Sequence, residues 1–312
     1  MFVYLQQRLT SGFRLEREPV TDDNPQTATA LRLGLPKGRI EPAVLELLKD
    51  AGVPVTPTAR GYRPVIALDD CEAKVMKPQN IVEMLDLGRR DLGFAGADWV
   101  AELNADVVEL LDTRLDHVRV VAAAAESLLE DGELPNRELI VTSEYECITK
   151  RWIETRQLQA AFARSYGATE VFPPDDADVI VDNTATGATL RTNGLQILDT
   201  LMHSSTRLYA SRAALADRNK QTRIEDFCLL LKSVLDARRR AMIEVNAPAD
   251  RLDTVVALLP CMREATVAPL FGNSGYAVKA AVPRESLPRL IPALKSAGSS
   301  DVVVSNVSQI MP

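Results

Sequence analysis

The run "DNTATGATLRTNGL", residues 182–195, gathers residue types suited to holding a phosphorylated sugar. Asp182 ends an apolar run, and behind it come the hydroxyls of Thr184, Thr186 and Thr189 and the flexible Gly187. Backbone N–H groups of a loop entering a helix cradle a phosphate, and threonine hydroxyls add hydrogen bonds to its oxygens. Glycine lets the backbone approach closely and take conformations that other residues avoid. A carboxylate just upstream accepts from ribose hydroxyls. Asp182, Thr184, Thr186, Gly187 and Thr189 therefore read as a sugar 5-phosphate pocket. The Thr-Gly-Ala-Thr turn alone reads first as a hydroxyl-capped helix start, and it lacks the lysine of a Walker A loop.

These groups need elements to position them. Leu31, Leu33 and Leu35 alternate as a strand, and a helix follows with Pro42 at its start and Gly52 beyond its end, so the junction between them carries Lys37, Gly38 and Arg39. In "KPQNIVEMLDLGRRDLGFAGADWVAEL" Asn80 is placed to cap a helix, with Glu83 three positions on, and Gly88 to end it. "DLGFAG" is then a short strand leading into a helix near Asp98. Such junctions at the carboxyl ends of parallel strands are where open α/β sheets bind ligands. The alternation continues through "HVRVVAAAA" and "DVIVDN" as a second lobe, and "LQILDTLM" and "TRLYAS" read as separate strands returning to the first. The expected sheet is largely parallel.

After the amphipathic "RIEDFCLLLKSVLDARRR" the pattern becomes β-α-β-β-α-β, a ferredoxin-like motif with paired strands about Gly272 to Gly275. The expected division is a loosely ordered leader at 1–30, lobe I at 31–115 with 204–223, lobe II at 116–203, a linking helix at 224–240 and a small domain at 241–312.

Across 312 residues the composition is 46% hydrophobic and 25% charged, that of a globular protein of two domains and a small third. The net charge of −7 argues against nucleic acid or an anionic membrane as partner. The three arginines at 238–240 read as a solvated helix end. Four dispersed cysteines without a CxxC pair suggest neither a zinc site nor a disulfide framework, so a cytoplasmic location is expected. Two histidines outside any HExxH pattern make metal hydrolysis and triad chemistry poor readings. No run approaches the roughly 20 apolar residues of a membrane span.

"DNTATGATLRTNGL", "LGLPKGR" and "DLGFAGADWV" together resemble the ATP phosphoribosyltransferases that open histidine biosynthesis, and the likeness runs from about residue 31 to the end, as in the family's long form. The resemblance implies an α/β fold: a two-lobed type II periplasmic-binding-like catalytic region followed by an ACT-type, ferredoxin-like domain. It implies attack of the adenine N1 of ATP on C1 of phosphoribosyl pyrophosphate, with Mg2+ on the pyrophosphate and histidine as inhibitor. Lys37 and Arg39 would then meet the anionic phosphates as the catalytic cations, Asp182 the ribose hydroxyls and residues 186–190 the 5-phosphate.

Lys77, Asp98 and Glu170 would face ATP or pyrophosphate, although a helix N-cap for Asp98 and a solvated loop carboxylate for Glu170 fit as well. In the small domain Thr266 and Ala268 would contact histidine, or the domain serves only to assemble a homo-oligomer, hexamer or dimer. The chain departs from the family's pattern at "KPQNI", where Lys77 and Asn80 replace an arginine and an aspartate, and at "TEVFPPDDADV", which lacks an expected glycine. Lysine keeps the charge but loses the planar fork. Two alternatives stand beside the enzyme: a two-lobed solute-binding or sensor protein with an amino-acid effector domain, and a catalytically weakened family member.

Overall fold

The structure, a computed structural model, describes residues 30–59, 61–272 and 274–311. The leader expected at 1–30 lies outside the described residues except for its last position. In chain order come β1 (Leu31–Pro36), α1 (Glu41–Asp50), β2 (Val55–Thr56), β3 (Val65–Ile66), β4 (Cys71–Met76), α2 (Pro78–Asp86), β5 (Leu92–Gly96), α3 (Ala97–Glu102), β6 (Val107–Ala125), β7 (Leu139–Ser143), α4 (Glu146–Arg156) and β8 (Ala160–Arg164). They are followed by β9 (Val179–Thr184), α5 (Ala188–Thr192), β10 (Leu195–Ser211), α6 (Arg212–Ala216), α7 (Arg218–Arg238), β11 (Arg240–Ala247), α8 (Leu252–Leu258), β12 (Thr266–Pro269), β13 (Tyr276–Pro283), α9 (Leu287–Ser296) and β14 (Ser300–Asn306).

The sheet is mixed rather than largely parallel. Eight strands run in the order β4-β1-β5-β10-β6-β9-β7-β8. β4, β1 and β5 are parallel, as are β9, β7 and β8, but β10 and β6 pair antiparallel with each other and with both neighbours. The 17-residue β10 and 19-residue β6 run through both halves of the sheet, so the two strands expected around "LQILDTLM" and "TRLYAS" are one. Short apolar runs interrupted by polar residues look like two strands in sequence. The pairing with β6 carries the ladder across the interruption through register shifts between Ile197 and Asp199 and between Thr200 and Met202.

Each half has cores on both sheet faces. In the first, Leu33, Val44, Leu47 and Phe94 pack with Phe227 and Leu231 on one face, and Ile81 and Leu85 of α2 cover the other. In the second, Val141, Tyr145, Trp152 and Val179 lie on one face and Val121, Ile180 and Leu190 on the other. Strands buried on both faces lose the alternation of half-buried ones, which is why β1 is buried at nearly every position. The helix expected to link the domains over 224–240 runs Arg218–Arg238, and its apolar stripe of Ile224, Phe227, Leu231 and Val234 belongs to the first half's core. Its start is pinned by Lys220, which with Arg32 holds the buried Asp91. Burial alone would raise that carboxyl, but the Arg32 hydrogen bonds and both positive charges hold it below its usual value.

α2 begins at Pro78 with Lys77 as its N-cap, so Asn80 is not the cap expected of it. Proline is favoured at the first helical position because its missing N–H would have no partner there, and Asn80 instead donates to Glu83 at 3.2 Å from inside the helix. The stop at Gly88 stands, with φ +67. The C-terminal strands form a separate antiparallel sheet in the order β12-β13-β11-β14, covered on one face by α8 and α9 through Val255, Leu290 and Leu294.

Candidate active site

A cleft of about 130 Å³ opens where the two halves meet, lined by Lys37, Arg39, Asp98, Trp99, Asp116, Asn183 and Ser204 among others. β1 ends at Pro36, and the amide of Lys37 still bonds to Met76, so the chain leaves the sheet carrying Lys37 and Arg39 to its carboxyl end. Lys37 Nζ is 3.4 Å from the Tyr62 hydroxyl and 5.1 Å from its ring centre. Arg39 donates to Asp116 at 2.6 Å and to Asn183 at 3.4 Å, reaching from the first half to the second.

Asp98 sits in the first turn of α3 and is buried, with Gly96 as the N-cap residue. Its Oδ1 accepts from Ser204 at 2.7 Å and its Oδ2 from the Tyr145 hydroxyl at 2.6 Å, so both carboxylate oxygens are engaged within the protein. Tyr145 in turn accepts from Asn183 Nδ2 at 2.9 Å and stacks on Trp99 with ring centres 4.7 Å apart. Burial and then the charge of Asp98 raise the Tyr145 hydroxyl well above its usual value, so it remains a proton donor.

At the end of β9, Asp182 accepts from the Asn183 amide at 2.7 Å. Burial pushes its carboxyl up to about 6; Glu170 and Glu144 add to the rise, while the Asn183 amide and Arg39 oppose it. The turn behind it is built by its own hydroxyls. Thr184 accepts from the Gly187 amide at 2.9 Å and Thr186 from Ala188 at 3.3 Å. Gly187 is the left-handed N-cap of α5 at φ +74, a conformation that side chains make costly. Thr189 and Leu190 supply first-turn amides, which have no acceptor inside a helix. Arg191, not singled out in the sequence, donates to the Thr186 carbonyl at 3.1 Å and adds a cation beside the turn.

The structure thus brings Lys37, Arg39 and Asp98 into one cleft with Asn183, the neighbour of Asp182. Glu170 lies close enough to influence Asp182, and Lys77 is exposed at the start of α2, next to the cleft residue Pro78. Thr266 and Ala268 stand apart on β12, where Thr266 lines a second hollow of about 330 Å³ with Met242, Lys279 and Met311. Asn183, Tyr145, Ser204 and Asp116 escaped the sequence reading; only Asn183 had a signal, its place beside Asp182. Among the described residues no three His, Cys, Asp or Glu side chains gather to hold a metal ion. None of the described helices is long and apolar enough to cross a membrane.

A family model described as HisG, ATP phosphoribosyltransferase, matches residues 77–233, and one for the HisG C-terminal domain matches 237–309. An ATP phosphoribosyltransferase of Chlorobium phaeobacteroides is 34% identical over 93% of this chain and 99% of its own. One of Pelotomaculum thermopropionicum is 35% identical over 90% of this chain and 99% of its own. The chain belongs to the ATP phosphoribosyltransferase family. A chain of the ATP phosphoribosyl transferase (HisG:HisZ) complex from Thermotoga maritima superposes with a TM-score of 0.59 at 26% identity, covering 66% of this chain and 98% of that one. As an ATP phosphoribosyltransferase the protein is a pentosyltransferase of histidine biosynthesis that joins the phosphoribosyl group of phosphoribosyl pyrophosphate to N1 of ATP and releases pyrophosphate. The reading as a solute-binding or sensor protein is not favoured.

Proposed function

We propose that the cleft between the two halves is the catalytic site and that its residues divide the substrates between them. The halves are the lobes of a type II periplasmic-binding-like fold, 31–115 with 204–223 and 116–203. Asp182 receives the ribose hydroxyls, and Thr184, Thr186, Gly187, Ala188, Thr189 and Leu190 surround the 5-phosphate. Lys37 and Arg39 balance the pyrophosphate or triphosphate, with Lys77 at the rim. Asp98 acts through Tyr145 and Ser204 as a support of the cleft wall, and Glu170 flanks Asp182. The observation that carries this reading is that Arg39 and Asn183, one from each half, are in hydrogen-bond contact across the cleft, with Asp182 and the 184–190 turn next in line.

The chemistry asks little of acids and bases. The N1 lone pair of adenine forms the new bond to C1 as the C1–O bond breaks and its electron pair leaves with pyrophosphate, inverting the anomeric carbon. What the protein supplies is orientation of two polyanions, positive charge against the departing one, and exclusion of water between the halves. The cleft carboxylates are already engaged, Asp98 by Ser204 and Tyr145 and Asp116 by Arg39, so among the described residues no cluster of carboxylates forms a protein cage for a metal there. Mg2+ suits the pyrophosphate oxygens, since it keeps several waters and relies on substrate phosphates; bound there it would lower the charge of the leaving group.

The C-terminal domain, 241–312, is read as an ACT-type module through which histidine inhibits, with Thr266 and Ala268 at its contact strand, in a cytoplasmic homo-oligomer, hexamer or dimer. Lys37→Ala should lower kcat/KM by about 30- to 1000-fold, the equivalent of ~2–4 kcal/mol, in an assay of phosphoribosyl-ATP formation with Mg2+ and pyrophosphatase. An unaltered rate would remove Lys37 from the catalytic role. The same assay with and without histidine tests the regulatory reading.

A further inference from the structure

Arg39 is ion-paired before any substrate arrives. Its guanidinium, half exposed, meets Asp116 at 2.6 Å, and Asp116 is only 21% exposed, so the pair belongs to the cleft wall. The backbone that presents Asp116 is unusual. Asp116 has φ +53 and Arg114 has φ +56, both in the left-handed region that side chains disfavour. They fall where β6 and β10 lose register, Arg114 between the pairs Asp112 with Arg207 and Leu115 with Thr206, and Asp116 between the pairs Leu115 with Thr206 and Val118 with Ser204. A strained bulge in the strand joining the halves therefore places a negative charge on a cation that serves two polyanionic substrates. Strain of this kind persists where the surroundings hold it, and it gathers at functional sites.

We propose that Asp116 is a specificity-determining residue that makes polyanion binding at Arg39 an exchange. Its carboxylate occupies the guanidinium edge that a phosphate group takes, holding Arg39 aimed into the cleft while lowering its affinity for any small anion. A ligand with several further contacts, such as a sugar phosphate-pyrophosphate, displaces it; free pyrophosphate, with fewer, is held weakly and leaves readily. This rests on the reading that Arg39 meets substrate or product phosphate.

The test is calorimetric titration of the full-length protein with pyrophosphate and Mg2+, at low and high salt, together with KM and kcat. Asp116→Asn keeps the shape and tolerates the left-handed backbone, and it should tighten pyrophosphate about three- to tenfold at low salt, less at high salt. The KM for phosphoribosyl pyrophosphate should fall, and kcat should fall with it as product release slows. Asp116→Gly should tighten pyrophosphate likewise, because it removes the charge while relieving the backbone. Arg39→Ala should weaken pyrophosphate, and in that background Asp116→Asn should change nothing. If Arg39→Ala weakens binding but neither Asp116 variant tightens it, the exchange is wrong and the role of Arg39 stands. If both Asp116 variants weaken binding, the carboxylate only supports the site and the proposal fails. If Arg39→Ala leaves binding unchanged, the reading of Arg39 and the proposal fall together.

Discussion

Asp182 shows function and stability set against each other at a single residue. In the role proposed for it Asp182 accepts ribose hydroxyls as an ionised carboxylate, yet burial holds its protonation near pH 6 instead of the ordinary 3.8. Because its folded value is raised, folding favours the protonated form: the penalty is absent below about pH 4 and fully present above about pH 6. Asp182→Asn should therefore be more stable than the parent at pH 8, by about 2 to 3 kcal/mol, and no more stable at pH 4. Thermal melts at the two pH values check this, and equal melting at pH 8 would show that the buried charge costs nothing. The same substitution should weaken phosphoribosyl pyrophosphate more than ATP. The turn behind Asp182 was legible in the run at 182–195, because its hydrogen bonds are local: Thr184 accepts from the Gly187 amide, and Thr186 from that of Ala188. The raised Asp182 value was not, since it comes from burial and from Glu144 and Glu170, distant in the chain.

At the scale of elements, the two halves are joined by β6 and β10, and Tyr145 is one of the side chains that latch them. The Tyr145 hydroxyl, just before α4, donates to Asp98 in α3 and accepts from Asn183 in β9, while its ring stacks on Trp99. Tyr145→Phe keeps the stack and leaves two polar groups without their shared partner. The expected loss is about 1 to 3 kcal/mol of stability, read from the melting temperature. KM should rise for ATP and phosphoribosyl pyrophosphate together, since the latch shapes the cleft without choosing between substrates; a rise for one alone would argue that Tyr145 touches that substrate. Local punctuation in the sequence located α1 and the end of α2, because Pro42, Gly52 and Gly88 act within one turn. It misjudged the start of α2, where Pro78 outcompetes Asn80, and it divided β10, whose continuity depends on a partner strand.

Over the whole molecule, the C-terminal sheet is tied back to the catalytic region after β14. The Ile310 amide donates to the Ser233 carbonyl of α7 at 2.9 Å, and Gln309 Nε2 donates to the Asp50 carbonyl at the end of α1 at 3.3 Å. Arg238, in the last turn of α7, pairs with the Asp50 carboxylate at 2.8 Å, so it is less solvated than its place in an arginine run suggested. Truncation after Ser308 should cost about 1 to 3 kcal/mol and speed hydrogen exchange at the C-terminal half of α7; unchanged exchange would show that the strap holds nothing. The sequence by itself determined the α/β alternation, the β-α-β-β-α-β tail and the hydroxyl-closed turn behind Asp182, because each is written in residues within a few positions of one another. Only the tertiary structure decided which charges meet. Asp116 lies 77 positions from Arg39, Asn183 lies 144 from Arg39, and Asp98 lies 47 from Tyr145. Those meetings depend on the register in which β6 and β10 cross both halves, and a register between distant strands leaves no periodicity in either one.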